Sequence, residues 1–125
     1  MEDITMKNTM KLFAIMIVMV CMLVAGCQSN EEKYTLLKND SIKMMDEIDN
    51  KKRKDDNKIR YMKFSERAKV YAEIENPYIE KIKKNNKEME ELSKKEIKLT
   101  NDFNLFRQKT EYLIDMNEKH NKGEI

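Results

Sequence analysis

The groups in this 125-residue chain best suited to chemistry are one histidine, two cysteines and a few acidic pairs. His120 stands near the C-terminus, and one imidazole without a nearby thiol or an ordered carboxylate makes neither a catalytic triad nor a metal site. Asp55-Asp56 and Glu90-Glu91 could in principle bind a cation or share acid and base roles. Each pair is interleaved with lysines three or four residues away, the pattern of an exposed helix face. The serines have no neighbouring base. There is no Gly-rich phosphate loop, no His-Glu-x-x-His and no Gly-x-Ser-x-Gly. These residues predict a protein that is not an enzyme and holds no metal or cofactor.

Cys27 is different because of what precedes it. Lys7 and Lys11 supply a positive flank, and Leu12 to Ala25 is a run of 14 residues without a charge. As a helix it would span about 21 Å, short of a hydrocarbon core of ~30 Å, which fits the core of an export signal better than a permanent span. Val24-Ala25-Gly26-Cys27 closes the run, and Gln28-Ser29-Asn30-Glu31-Glu32 follows without a basic stop-transfer cluster. This arrangement resembles the lipobox of bacterial lipoprotein precursors, with Val24 where leucine is usual. The resemblance implies cleavage between Gly26 and Cys27 by a type II signal peptidase. It also implies a diacylglyceryl group on the Cys27 thiol, and two acyl chains anchor stably where one is marginal. Gln28 after the cysteine implies retention at the inner membrane. Met1 to Thr5 carry two acids and suit a signal n-region poorly, so the expected translation start is Met6.

Residues 1–26 thus read as a signal peptide and 27–32 as the lipidated cysteine with a polar tether. Residues 33–119 read as one helical domain, and 120–125 as a fraying tail. From Cys27 onward the chain has 23 basic and 21 acidic residues, a balance that gives no reason to expect nucleic acid as a partner. Cys21 would leave with the signal and Cys27 would be thioether-linked, so no disulfide is expected. The same stretch holds one glycine, Gly123, one proline, Pro77, and no tryptophan. This is helix-forming composition almost without turn residues, and it predicts an all-α fold.

The expected architecture is a helical hairpin or three-helix antiparallel bundle with coiled-coil-like heptads, behind an N-terminal signal helix. A first helix is expected from Glu31 to Lys52, with Tyr34, Leu37, Met44, Met45 and Ile48 as its apolar stripe and Ser41 interrupting it. Asp49 to Lys58 contains no apolar residue and reads as a loop or a solvated turn. Beyond it, steps of seven from Tyr61 and from Phe64 meet 12 apolar or aromatic residues in 18 positions, an a/d pattern. Its polar members Glu75, Asn85 and Glu96 suit a bundle better than a pure coiled coil. Pro77 would cost ~3 kcal/mol inside a helix and little at a first position, and Asn76 is a good N-cap. One helix is therefore expected from about Asn57 to Glu75 and another from Pro77 to about Glu118, with the chain either turning back or merely kinking between them. The heptad phase passes without a slip through two capping signals, Ser93-x-x-Glu96 and Thr100-Asn101-Asp102.

Lys51-Lys52-Arg53-Lys54 is the sharpest basic cluster and the candidate contact with anionic headgroups or wall polymers. The seam aromatics Tyr61, Phe64, Tyr71, Tyr78, Phe103 and Phe106 read as core rather than as a sugar platform. Together these features predict a membrane-anchored extracytoplasmic helical lipoprotein, a structural or interaction module at the cell envelope. Its partner would be an envelope protein or a wall polymer, with self-association through the heptad seam if the stripe is incompletely covered. The chain also resembles small Lys-rich helical lipoproteins of Gram-positive bacteria, including cell-wall-binding ones. An alternative of another class is a phage- or plasmid-type exclusion lipoprotein that inhibits a membrane protein.

Overall fold

The computed structural model describes residues 28–125. They form four helices and no strand: α1 Asn30–Lys54, α2 Asp56–Ile59, α3 Phe64–Lys95 and α4 Ile97–Asn121. The expected export signal, residues 1–26, and the expected lipidation site Cys27 lie outside the described residues.

Side-chain pairs give the direction of each helix. Lys52 of α1 meets Glu75 of α3, while Asp40 and Ser41 of α1 meet Asn85, so α1 and α3 are antiparallel. Asn117 meets Glu75 and Thr110 meets Asn86, so α3 and α4 are antiparallel too. Glu31 pairs with Lys98 and Tyr34 with Asp102, which sets α1 and α4 parallel. The result is a three-helix bundle with α3 packed against both other long helices. The start of α1 and the α3–α4 turn share one end, here the near end. The α1–α3 connection and the C-terminus of α4 share the far end.

The start of α1 is fixed locally. Ser29 accepts a hydrogen bond from the Glu32 backbone N–H at 3.1 Å and caps the helix, with Glu31 and Glu32 against the positive end of the dipole. Residues 30–32, expected in the tether of 27–32, are therefore the first residues of α1. Lys51 to Lys54 occupy the last turn of α1, where cations favour the negative end of the dipole, so of the two expectations for 49–58, loop or solvated turn of helix, residues 49–54 take the second. Ser41 does not break the stripe. It is fully buried and accepts a hydrogen bond from Asn85.

Two expected boundaries are corrected. Pro77 lies inside α3, which is continuous for 32 residues, or about 48 Å. The ring removes the hydrogen bond to the Glu73 carbonyl, but Glu73 and Pro77 are both exposed, so that carbonyl faces water instead of a dry core. The long helix expected from Pro77 to Glu118 is instead broken at Glu96, a single extended residue (φ −128°, ψ 107°) between α3 and α4. Ser93 hydrogen-bonds back to the Glu90 carbonyl within α3, and Thr100 donates to the Ser93 carbonyl across the turn. The heptad phase survives the reversal because Glu96 is itself a seam position. Residues on either side of it return to the same interface.

That interface is the core. Tyr34, Met89, Leu92, Leu99, Phe103 and Phe106 form one apolar cluster toward the near end, backed by Leu37 and Met45. Met44, Ile48 and Ile82 form a second in the middle, with Ile74, Tyr78 and Leu113 against it. Each fully buried aliphatic or aromatic side chain contributes roughly 1.5–3 kcal/mol relative to exposure. Seam positions from Ala68 to His120 are largely buried, but the first two are not: Tyr61 and Phe64 are 84% and 70% exposed. The expectation that they pack in the core is therefore wrong. Tyr61 belongs to the α1–α3 connection and Phe64 is the first residue of α3, before that helix reaches its partners.

Candidate functional site

Toward the far end the seam is filled by polar side chains. Glu75 of α3 has no exposed surface, and its carboxylate collects donors from both other long helices. The Lys52 ammonium donates to Oε2 at 2.6 Å, and Asn117 Nδ2 donates to Oε1 at 3.1 Å. His120 Nδ1 lies 2.8 Å from Oε1 and 3.1 Å from Oε2. Because the carboxylate only accepts, this network assigns a proton to Nδ1. The His120 ring rests against Tyr71 at 5.2 Å between centroids, and the Lys52 ammonium stands over the same Tyr71 ring at 5.1 Å. Asn117 and Asn121 continue the network to Asn76.

The heptad count places His120 on the seam, and its partner carboxylate is not one of its sequence neighbours. The structure supplies Glu75 across the bundle and buries His120 within α4, so the expected fraying from 120 is corrected: the helix continues to Asn121. Chemically the cluster is a satisfied internal pin. Its carboxylate is saturated by three donors, and no group of three or more metal-ligating side chains occurs among the described residues. The sequence does carry a signal for it: Glu75, Asn117 and His120 all occupy seam positions, and buried polar seam residues need partners from facing helices.

A second polar group sits at the near end. Tyr34 is buried, and its hydroxyl donates to Asp102 Oδ2 at 2.6 Å, while Lys38 donates to both Asp102 oxygens at 3.0 and 2.9 Å. Burial, and then the bond to Asp102, push the Tyr34 hydroxyl well above its usual range. The hydrogen bond from Tyr34, and then the one from Lys38, hold Asp102 below the usual carboxylate range. The arrangement ties α1 to α4 at the edge of the apolar cluster.

The basic cluster is divided by the helix that carries it. Lys52 turns inward to Glu75. Lys51 donates to the Tyr78 hydroxyl at 2.6 Å, with its ammonium 4.8 Å from the centre of that ring. The Tyr78 hydroxyl bond, the leading cause, raises the Lys51 pKa and keeps the ammonium charged. Arg53 and Lys54 are exposed. Of four candidate contact residues, the structure therefore commits one to an internal ion pair and one to an aromatic side chain. Of the acidic pairs, Asp55 and Asp56 are exposed at the α1–α2 junction, with Asp56 paired to Arg60 at 3.0 Å, while Glu91 is exposed and Glu90 half-buried on α3.

Concave surfaces line the α1 flanks. One groove of about 380 Å³ runs between α1 and α3 near Leu36, Leu37 and Leu92, and another of about 500 Å³ lies between α1 and α4 near Ile42, Leu105 and Phe106. Both are open and bordered by mixed charge. No helix among the described residues is long and apolar enough to cross a membrane. No protein-family model matches the chain, and no curated protein or solved structure does either.

Proposed function

We propose that the chain is a lipid-anchored extracytoplasmic protein whose helical bundle serves as an interaction module at the cell envelope. The observation that carries this reading is the order of features before the bundle: the Lys7 and Lys11 flank, the uncharged run Leu12 to Ala25, and Val24-Ala25-Gly26-Cys27. Cys27 would bear the diacylglyceryl group and Gly26 would be the last residue removed. The capped start of α1 at Ser29 supports it, because a bundle beginning two residues after an anchored cysteine would stand directly at the bilayer. The internal satisfaction of Glu75 and His120 supports a binding role over a catalytic one, since neither is presented to a substrate.

The test is metabolic labelling of the full chain with a radioactive fatty acid in a bacterial host. Label is expected on the protein and is expected to vanish in Cys27→Ser. The processed protein should begin at Cys27. An unlabelled wild-type chain, or a labelled Cys27→Ser chain, overturns the reading.

A further inference from the structure

The residues linking α1 to α3 form the most lopsided charge region of the chain. Positions 51–67 hold eight basic residues and three acids, whereas the rest of 28–125 holds 15 basic residues and 18 acids. Lys52 is spent on Glu75 and Arg60 is paired with Asp56, but Arg53, Lys54, Lys58 and Lys63 are exposed. Among these cations stand Tyr61 and Phe64, 84% and 70% exposed.

The exposure of the two rings is built into the fold. Arg67, one turn into α3, donates from Nε to the Ile59 carbonyl at 3.2 Å and from Nη2 to the Arg60 and Met62 carbonyls at 3.0 and 3.4 Å. Its guanidinium also lies 5.3 Å from the Phe64 ring centre. One side chain thus satisfies three loop carbonyls and braces one ring. Ile59 is buried beneath the loop and anchors it. The segment is a pre-formed cap whose exposed aromatic rings alternate along the chain with exposed lysines.

We infer that this cap, Lys54, Lys58, Tyr61, Lys63 and Phe64, docks on an anionic lipid surface. A phosphate polymer would satisfy the cations but leave Phe64 in water. A bilayer interface satisfies both, because aromatic rings settle at headgroup depth while lysines reach the phosphates. The cap sits at the far end, separated from Gln28 by the 25 residues of α1, or about 37 Å, which is several Debye lengths at physiological salt. If Cys27 is acylated, both contacts on one membrane lay the bundle along its surface. The inference itself does not rest on the anchor, and the test leaves the anchor out.

The chain from Gln28 is used, since among the described residues every core residue lies between Tyr34 and His120 and circular dichroism reports directly whether it is folded. It is sedimented with vesicles of phosphatidylcholine alone or with one third phosphatidylglycerol. Binding is expected only to the anionic vesicles and is expected to fall with added salt. Lys54→Gln, Lys58→Gln and Lys63→Gln together should weaken it on the order of 100-fold, from roughly fivefold per cation. Tyr61→Ser with Phe64→Ser should weaken it about tenfold with circular dichroism unchanged. Lys83→Gln, Lys84→Gln and Lys87→Gln, exposed on α3, serve as the charge-matched control and should bind within about twofold of wild type. Equal loss in the control, or no binding to anionic vesicles, overturns the proposal. So does an aromatic pair without effect while soluble polyphosphate competes fully, which would mark the site as one for polyanions.

Discussion

At the near end, seam positions Met89, Leu92, Leu99, Phe103 and Phe106 close around Tyr34 as a continuous apolar cluster; at the far end the seam positions Glu75, Asn117 and His120 are buried as deeply. The two regions share helices, heptad phase and depth. They differ in how contacts are specified. An apolar cluster tolerates any filling of similar volume, because dispersion and water exclusion have no direction. The far cluster has direction at every contact: one carboxylate of α3 receives Lys52 from α1 and Asn117 and His120 from α4. Sliding any helix by one turn would strand a buried charge. The near end is thus built to hold the bundle together, and the far end to hold it in one register.

The largest effects would come from gutting each region. Phe103→Ala should cost about 3–5 kcal/mol through the cavity it leaves. Glu75→Ala should cost a similar amount, about 3–5 kcal/mol, because Lys52 and His120 lose their shared partner. Urea melts measure both; a Glu75→Ala loss below about 1 kcal/mol would erase the contrast between the ends.

Tyr34→Phe is the milder probe of the near end. It removes one hydrogen bond to a charged, half-exposed carboxylate and should cost about 1 kcal/mol. Its pH behaviour carries the sign. Asp102 is held below its ordinary value of 3.8, so its contribution is full above that pH and is lost as the pH falls beneath it. Tyr34 is raised above its ordinary 10.0, so its contribution is full below that pH and is lost as the pH climbs beyond it. Thermal melts against pH should show both declines. The alkaline decline should shrink in Tyr34→Phe and the acid decline in Asp102→Asn. Unchanged profiles in both variants would detach these shifts from stability.

The smallest change in stability is expected from the largest change in chemistry. Replacing Glu75 by Met and His120 by Leu together, with Lys52→Met, should leave stability within about 1 kcal/mol of wild type, as apolar replacement of a buried ion pair often does. The register should suffer instead, with multiple amide signals for α4 in a heteronuclear NMR spectrum. A single sharp set would show that the near end alone suffices to align the helices.

Much of this bundle was legible beforehand. The all-α class follows from composition, and the α1 stripe and the seam from Ala68 to His120 follow from spacing. Three features run against the spacing for separable reasons. Pro77 reads as a boundary because the cost of an interior proline depends on whether the freed carbonyl meets water, and only the fold puts Glu73 on the solvent side. The turn at Glu96 is invisible to periodicity because a reversal at a seam residue preserves the phase. Tyr61 and Phe64 keep the heptad count yet lie outside the packed length of α3, and no count says where packing begins.

The sequence by itself determined which residues face inward, since amphipathic spacing is a property of one helix and needs no partner. It also carries the Val24-Ala25-Gly26-Cys27 pattern, which depends on local chain chemistry alone. Only the tertiary structure decided what the inward polar residues do. Glu75 and His120 are 45 positions apart, and Lys52 lies a further helix away. Their meeting depends on where the chain reverses, and a hydrogen bond between distant residues has no signature until the helices are laid side by side.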